Sequence, residues 1–533
     1  MAESFDVIII GAGHNGLTAA CRLGKAGRRV LVLERRHVVG GACVTEELFP
    51  GFKVSTAAYV NGLFRPEILR ELRLADYGVE MLLRDPSSFT PFPDGRSLLL
   101  GPDVGLNHRE VSKFSPRDAE RLADYDAMIE RVASVLEPVL LSVPPKAPDP
   151  NAPADPLAPI LSRLGRLEPS VFGEVMAVLT GSARDLLDRF FESDELKATL
   201  ATDGVIGTFA PPSAPGTAYV LFHHVMGETF GNRGIWSYIR GGMGTLTQAL
   251  ARAAVDLGAV VRTDAEVAGI LVRDGAAIGV ALADGTEFRA PVVASNATAE
   301  VTFRRLLDPA TLPADFADMV ARIDYRSASL KINAALSELP SFRCLPGRPG
   351  PQHRGTFHIC PTTEYIERAF DDAKYGRPSG SPIIEGALPT AVDPTLAPPG
   401  KHILSLFVQY APYTLRDGVW DDAARNAFAD RVFDILEEYA PGIKASVIDR
   451  RIYAPPDIER VFNLTGGNIF QGAVSPTQFW AWRPVPGFGD HRSPIRGLYL
   501  CGSAANPGGG VMGAAGWNAA AVILTDAAQS ARS

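Results

Sequence analysis

Gly11, Gly13 and Gly16 in IIIGAGHNGLTAA repeat as G-x-G-x-x-G, and a carboxylate, Glu34, closes the next apolar run. This spacing suits a dinucleotide. The first glycine allows a tight turn, the second lets the backbone approach a pyrophosphate, and the third lets a helix pack on its strand. The helix N-terminus turns free N–H groups and a partial positive charge towards the phosphates. Glu34 can accept both ribose hydroxyls. Gly40 and Gly41 add a second close approach, as an extended dinucleotide needs. At the other end, LYLCG reaches a turn at Gly502, and GGGVMG (508–513) leaves room for a flat ring beside Gly509, Gly510, Val511 and Met512. A helix beginning near Gly513 aims its positive end at that space. An isoalloxazine gains negative charge on reduction, so the helix favours the reduced ring by about 0.3–2 kcal/mol.

Fewer residues offer proton chemistry. His223, His224 and Glu228 precede Gly231, and one of them could act as a general base. On a strand the adjacent histidines would face opposite ways. Arg240 could anchor a phosphate or carboxylate. Phe479, Trp480 and Trp482 in FWAWRP offer an aromatic wall for an apolar substrate. His353, His358 and Cys360 have no common ligand spacing, so no metal site is expected.

The elements that must position these groups follow from periodicity. FDVIII (5–10) and RRVLVLE (28–34) read as buried parallel strands around a helix over 16–26, a βαβ unit. Asp274-Gly275 and Asp284-Gly285 mark an antiparallel meander over 259–296. A helix over 244–257 ends at Gly258. Ser115-Pro116 opens a long amphipathic helix over 115–142. The Pro-rich stretch 144–159 reads as an exposed loop.

With 533 residues the chain exceeds the size of one core, so two or more domains are expected. Net charge of -8 without a basic block excludes nucleic acid as an expected partner. The five cysteines are scattered, which suits a reducing compartment and gives no disulfide framework. No apolar run approaches the ~20 residues that span a bilayer. The expected location is cytoplasmic, with peripheral membrane contact left open.

GAGHNGLTAA, the Gly pair after Glu34, IRGGMGTLTQALA (239–251) and LYLCGSAANPGGGVMG resemble the carotenoid/retinoid oxidoreductase family of phytoene desaturase-like flavoproteins. The resemblance implies a glutathione-reductase-type FAD fold, an adenine site near Val267 in the meander, and redox chemistry at carbon. The expected fold class is therefore α/β: a Rossmann-like FAD-binding domain with a β-meander, and an inserted mixed α+β substrate domain. Residues 1–75, 240–325 and 490–533 make the first, and 76–239 with 326–489 the second. The expected cofactor is FAD, and the expected activity is hydride removal from an apolar small or medium molecule. No second G-x-G-x-x-G follows a strand, so no nicotinamide nucleotide site is expected, and electrons are expected to leave to oxygen, a quinone or an acceptor the sequence does not identify. Two other readings stand beside it: a redox-neutral flavin-dependent polyene isomerase, and a flavin-bound regulatory or interaction protein with little turnover.

Overall fold

The computed structural model describes residues 4–145 and 165–530. From 146 to 159 the Pro-rich stretch lies outside the described residues. Its centre is a five-stranded parallel sheet in the order Val260–Arg262, Val30–Leu33, Val7–Ile10, Val292–Ser295, Leu498–Leu500. The Val7–Ile10 and Val30–Leu33 strands are buried at every position, which is why they are unbroken β-branched and aliphatic runs. The register Val7↔Val292 and Val293↔Leu498 sets the last strand two places from the first, with Val292–Ser295 between them. The two ends of the chain meet here.

Helix His14–Lys25 packs on this sheet and against helix Ala514–Ser530. Arg22 Nη1 donates to Trp517 O at 2.6 Å, and Asn15 Nδ2 to Ser503 Oγ at 3.1 Å. Helix Gly244–Asp256 covers the same side, and Gly258 follows it at φ +88°. The meander is real over Val267–Arg273, Ala276–Leu282 and Glu287–Arg289, an antiparallel trio. Asp274 and Gly275 both take positive φ, the hairpin geometry that Asp-Gly favours. Its flanks differ from the expectation. Val260–Arg262 and Val292–Ser295 join the parallel sheet, because an apolar run this short has no periodicity to reveal its partner.

A second sheet has seven strands in the order Val447–Tyr453, Ser329–Leu336, His402–Gln409, Ile383–Ala387, Thr356–Ile359, Ser88–Pro91, Ser97–Leu100. One face carries Leu330, Ile332, Leu404, Leu406, Val408, Ile384 and Phe357 against Phe428, Val432 and Leu436 of helix Asp422–Tyr439. Lys331, Asn333, Ser405, Glu385 and His358 alternate with these and occupy the other face. Above that polar face stand helices Pro116–Leu140, Asp194–Ala201 and Thr217–Val225, joined in a separate apolar cluster. Ser115 caps the first of them, its Oγ accepting from Asp118 N at 3.1 Å.

Candidate active site

The turn after the first strand is built as a cradle. Gly11 has φ +94°, and Gly40 N donates to Ala12 O at 2.9 Å, so the two glycine segments lie side by side. A Cβ on Gly41 would stand 3.4 Å from Gly13 Cα. Helix His14–Lys25 has no side-chain cap and no acidic residue in its first turn. Its leading amides therefore await an anion. Glu34 is buried, with Oε2 accepting from Ala12 N at 2.9 Å and Oε1 from Arg36 N at 3.0 Å. Each oxygen keeps a lone pair for a hydroxyl. Val267 shares an apolar cluster with Ile10 and Leu33 at the same end of the sheet.

The carboxy-terminal turn faces the same space. Gly502 abuts Asn296, whose Nδ2 donates to Gly11 O at 3.3 Å. Gly510 and Val511 line a cavity of about 500 Å³ that also reaches His14, Ala42 and Ser503. Val511 takes φ +59°, a conformation that costs a β-branched residue about 1–3 kcal/mol. The next carbonyl, of Met512, accepts from Arg65 N at 3.1 Å and fixes the turn. The helix from Ala514 has no acidic residue in its first turn.

His223 and His224 lie on helix Thr217–Val225, not on a strand. The helix lets both be buried, on different partners. The His223 Nε2 atom bonds Gly509 O at 3.0 Å, leaving Nδ1 without a partner among the described residues. His224 Nδ1 bonds the carbonyls of Val220, at 2.8 Å, and Asp203, at 2.9 Å. Burial pushes His223 down to about 3, so it is neutral and holds the 508–511 turn, with little capacity to accept a proton. Glu228 is exposed and borders an outer groove with Arg65 and Phe230. Arg240 turns to solvent and pairs with Glu80, at 2.6 Å, which competes successfully for its guanidinium.

The aromatic wall is made by other residues. Phe479 packs on Tyr219, ring centroids 4.8 Å apart, Trp482 is half-exposed, and neither they nor Trp480 line the cavity. Trp236, Phe470, Phe462 and Phe407 do. Sequence reasoning passed over two further features. Arg483, within the same FWAWRP, folds inward and is enclosed by backbone carbonyls, including Ser503 O at 3.0 Å from Nε. The polar alternation of SLKINAAL, IIEGA and TFHI was the available signal for the cavity floor.

The buried histidines set an acid limit. Burial pushes His14 and His491 down to about 4, and His223 to about 3, from 6.5 in an open chain. As pH falls through 6.5 the unfolded chain takes up these protons and the folded one does not. Stability is then lost at up to ~1.4 kcal/mol per pH unit for each group. Asp203, pushed up to about 8 by burial and by Glu385, acts in the opposite sense, as does Asp126, raised by burial, and the histidines outweigh them. The melting temperature is expected to fall steadily from pH 6.5 to pH 4.5 in scanning calorimetry. A flat profile would contradict the buried, neutral state of these rings.

A glycine cradle, an uncapped helix N-terminus, a second helix with no acidic residue in its first turn and a buried carboxylate with lone pairs to spare suit a dinucleotide flavoprotein, and the residues present fit FAD. The family described as flavin containing amine oxidoreductase matches residues 16–524, so the chain belongs to that family and is an FAD-dependent oxidoreductase. It is 47% identical to mouse pyridine nucleotide-disulfide oxidoreductase domain-containing protein 2, covering 99% of this chain and 94% of that one. It is 27% identical to the phytoene desaturase (lycopene-forming) of Pseudescherichia vulneris, over 95% of each chain. A putrescine oxidase structure covers both chains fully at a TM-score of 0.59 and 16% identity, which shows the shared fold. The resemblance read from the glycine motifs is thus borne out, as is the α/β fold class. The disulfide in the mouse relative's name has no counterpart in this chain, whose five cysteines are free. Among the described residues no helix is long and apolar enough to cross a membrane.

Proposed function

We propose that this oxidoreductase removes hydride from a small or medium organic molecule held between the 508–511 turn and the polar face of the seven-stranded sheet. One observation carries the reading: a cavity of about 500 Å³ runs from Gly510 and Val511 to Glu385 without being filled by side chains. That volume fits a metabolite. It also counts against a flavin-bound protein without turnover, which has no need of such a space. FAD, when bound, supplies the two-electron acceptor.

The chain's own residues orient and shield. Gly11, Gly13, Gly16, Gly40 and Gly41 bring backbone to the diphosphate, and Glu34 takes the ribose. Val267 borders the adenine, and Gly502, Gly509, Gly510, Val511 and Met512 border the ring. Ile129, Ile206, Trp236, Ile469 and Phe470 make an apolar roof that excludes water. His223 keeps the Gly509 carbonyl in place. The desaturase likeness supports reaction at carbon. The acceptor is oxygen, a quinone or a third compound not identified by the sequence, and the cytoplasm is the location, on the sequence arguments given above.

The test is to purify the protein, record its visible spectrum and titrate it anaerobically with extracted metabolites. A yellow protein bleached by one fraction is expected. Conversion of that fraction without net bleaching or acceptor use would favour the isomerase instead. A colourless protein that FAD does not reconstitute would overturn both.

A further inference from the structure

One full charge stands behind the turn that borders the ring. Arg483 is 3% exposed, and its guanidinium is surrounded by carbonyls. Nε donates to Ser503 O at 3.0 Å, Nη1 to Ala473 O and Gln478 O at 3.2 Å each, and Nη2 to Phe470 O. Ser503 and Phe470 both line the cavity. A Cβ on Gly508 would meet Arg483 Nε at 3.5 Å, and one on Gly509 would meet Phe470 Cα at 2.7 Å, so the guanidinium packs directly against the 503–509 segment. Burial lowers Arg483 to about 10, which leaves it a cation at neutral pH.

That cation has no counter-charge: among the described residues no carboxylate pairs with it. Asp324 reaches the same loops, its N donating to Gln478 Oε1 at 2.8 Å, but its carboxylate is paired with Arg326 at 2.7 Å. The other side chain bonded to a carbonyl of residues 503–511 is His223, on Gly509 O, and it is neutral. Across the cavity, Lys331 and Arg84 share a wall with Glu385, whose charge offsets part of theirs. A buried cation without a counter-ion is costly, and carbonyl dipoles offset only part of that cost. A reduced flavin supplies the missing negative charge.

We propose that Arg483 raises the reduction potential of the bound FAD, its charge stabilising the negative charge that the isoalloxazine gains on reduction. A hydride brings two electrons and one proton, so the ring ends with one negative charge more than it had. A fixed cation behind the turn favours that state, in a site with little water to screen it. It adds to the partial positive charge at the start of helix Ala514–Ser530. The guanidinium then has two separable roles. Its planar fork of donors ties residues 470–473 to 503, and its charge sets the potential. The second role needs no substrate and does not rest on what the cavity binds.

The test uses the FAD-loaded protein without substrate and reads the flavin midpoint potential from its spectrum, against a reference dye, during anaerobic reduction. Arg483→Gln is expected to lower the potential by at least ~30 mV, a ~10-fold loss of preference for the reduced ring. Arg483→Lys is expected to keep the wild-type potential, although its ammonium no longer matches the carbonyls. A third variant covers the case in which neither of these retains flavin. Gln478→Glu leaves every Arg483 bond in place, because Arg483 uses only the backbone carbonyl of Gln478. It sets a carboxylate close to the guanidinium, since Gln478 Nε2 and Arg483 Nη2 each lie 3.5 Å from where a Gly472 Cβ would be. Its potential is expected to fall as well. A wild-type potential in Arg483→Gln, or in Gln478→Glu, would overturn the proposal by showing that the charge does not reach the ring. An Arg483→Lys potential as low as that of Arg483→Gln would overturn it too, since the shape of the turn would then be the cause.

Discussion

Gly16→Ala yields a protein that purifies with little or no flavin. A Cβ at this position would lie 2.2 Å from Gly11 O, 3.2 Å from Asn296 Nδ2 and 3.3 Å from Ile9 Cγ2. The first of these is backbone and has nowhere to go, since Gly11 N is tied to Leu33 O at 2.7 Å. Helix His14–Lys25 must therefore back away from its strand. That carries the uncapped amides off the diphosphate and loosens the contact with Ala514–Ser530, where Gly516 sits directly on the Asn15 carbonyl. We expect FAD affinity to fall by at least ~10-fold, or about 1.4 kcal/mol. Flavin absorbance per mole of protein measures it. Gly173→Ala is the control, because a Cβ there meets nothing within 4 Å. Full flavin content in Gly16→Ala would mean that the cofactor is held elsewhere.

Arg483→Met is expected to destabilise the protein by at least about 1–3 kcal/mol, the cost of leaving a buried acceptor without its donor. Its guanidinium donates to the carbonyls of Phe470, Gly472, Ala473, Gln478 and Ser503, with no carboxylate among them. Burial lowers its pKa to about 10, so it remains a cation in the fold. Methionine fills similar space and leaves those carbonyls unpaired, at about 1–3 kcal/mol for each that water cannot reach. Arg483→Lys should rescue little, because one ammonium cannot span a planar fork of donors. Nε lies 3.5 Å from where a Gly508 Cβ would be, so the loss also frees the turn beside the ring. Urea unfolding followed by flavin fluorescence gives both readings. A lysine variant as stable as the wild type would show that charge, not the fork, holds these loops.

Much of the nucleotide half was legible because its signals are local. A tight turn needs Gly11, a close helix needs Gly16, and Asp274-Gly275 needs no distant partner to turn a hairpin. The histidine pair was legible only as chemistry. Its helix came from the packing of TAYVLFHHV among apolar neighbours on all sides, which hides the period that distinguishes helix from strand. Arg240 and Arg483 show the same limit in reverse. Both are arginines beside glycine or aromatic residues, yet one meets Glu80 at the surface and the other is swallowed by carbonyls.

By itself the sequence determined the first strand, its glycine turn and the final helix in a form that suits a dinucleotide, since backbone geometry at glycine is a property of the residue. Only the tertiary structure decided what the substrate meets. The polar face of the second sheet is assembled from strands near residues 88, 331, 358, 385 and 407, whose order in space is not their order in the chain. Whether Glu385 is a solvated charge or a buried carboxylate without a donor depends on which helices close over it. That burial is a long-range property, and no local spacing encodes it.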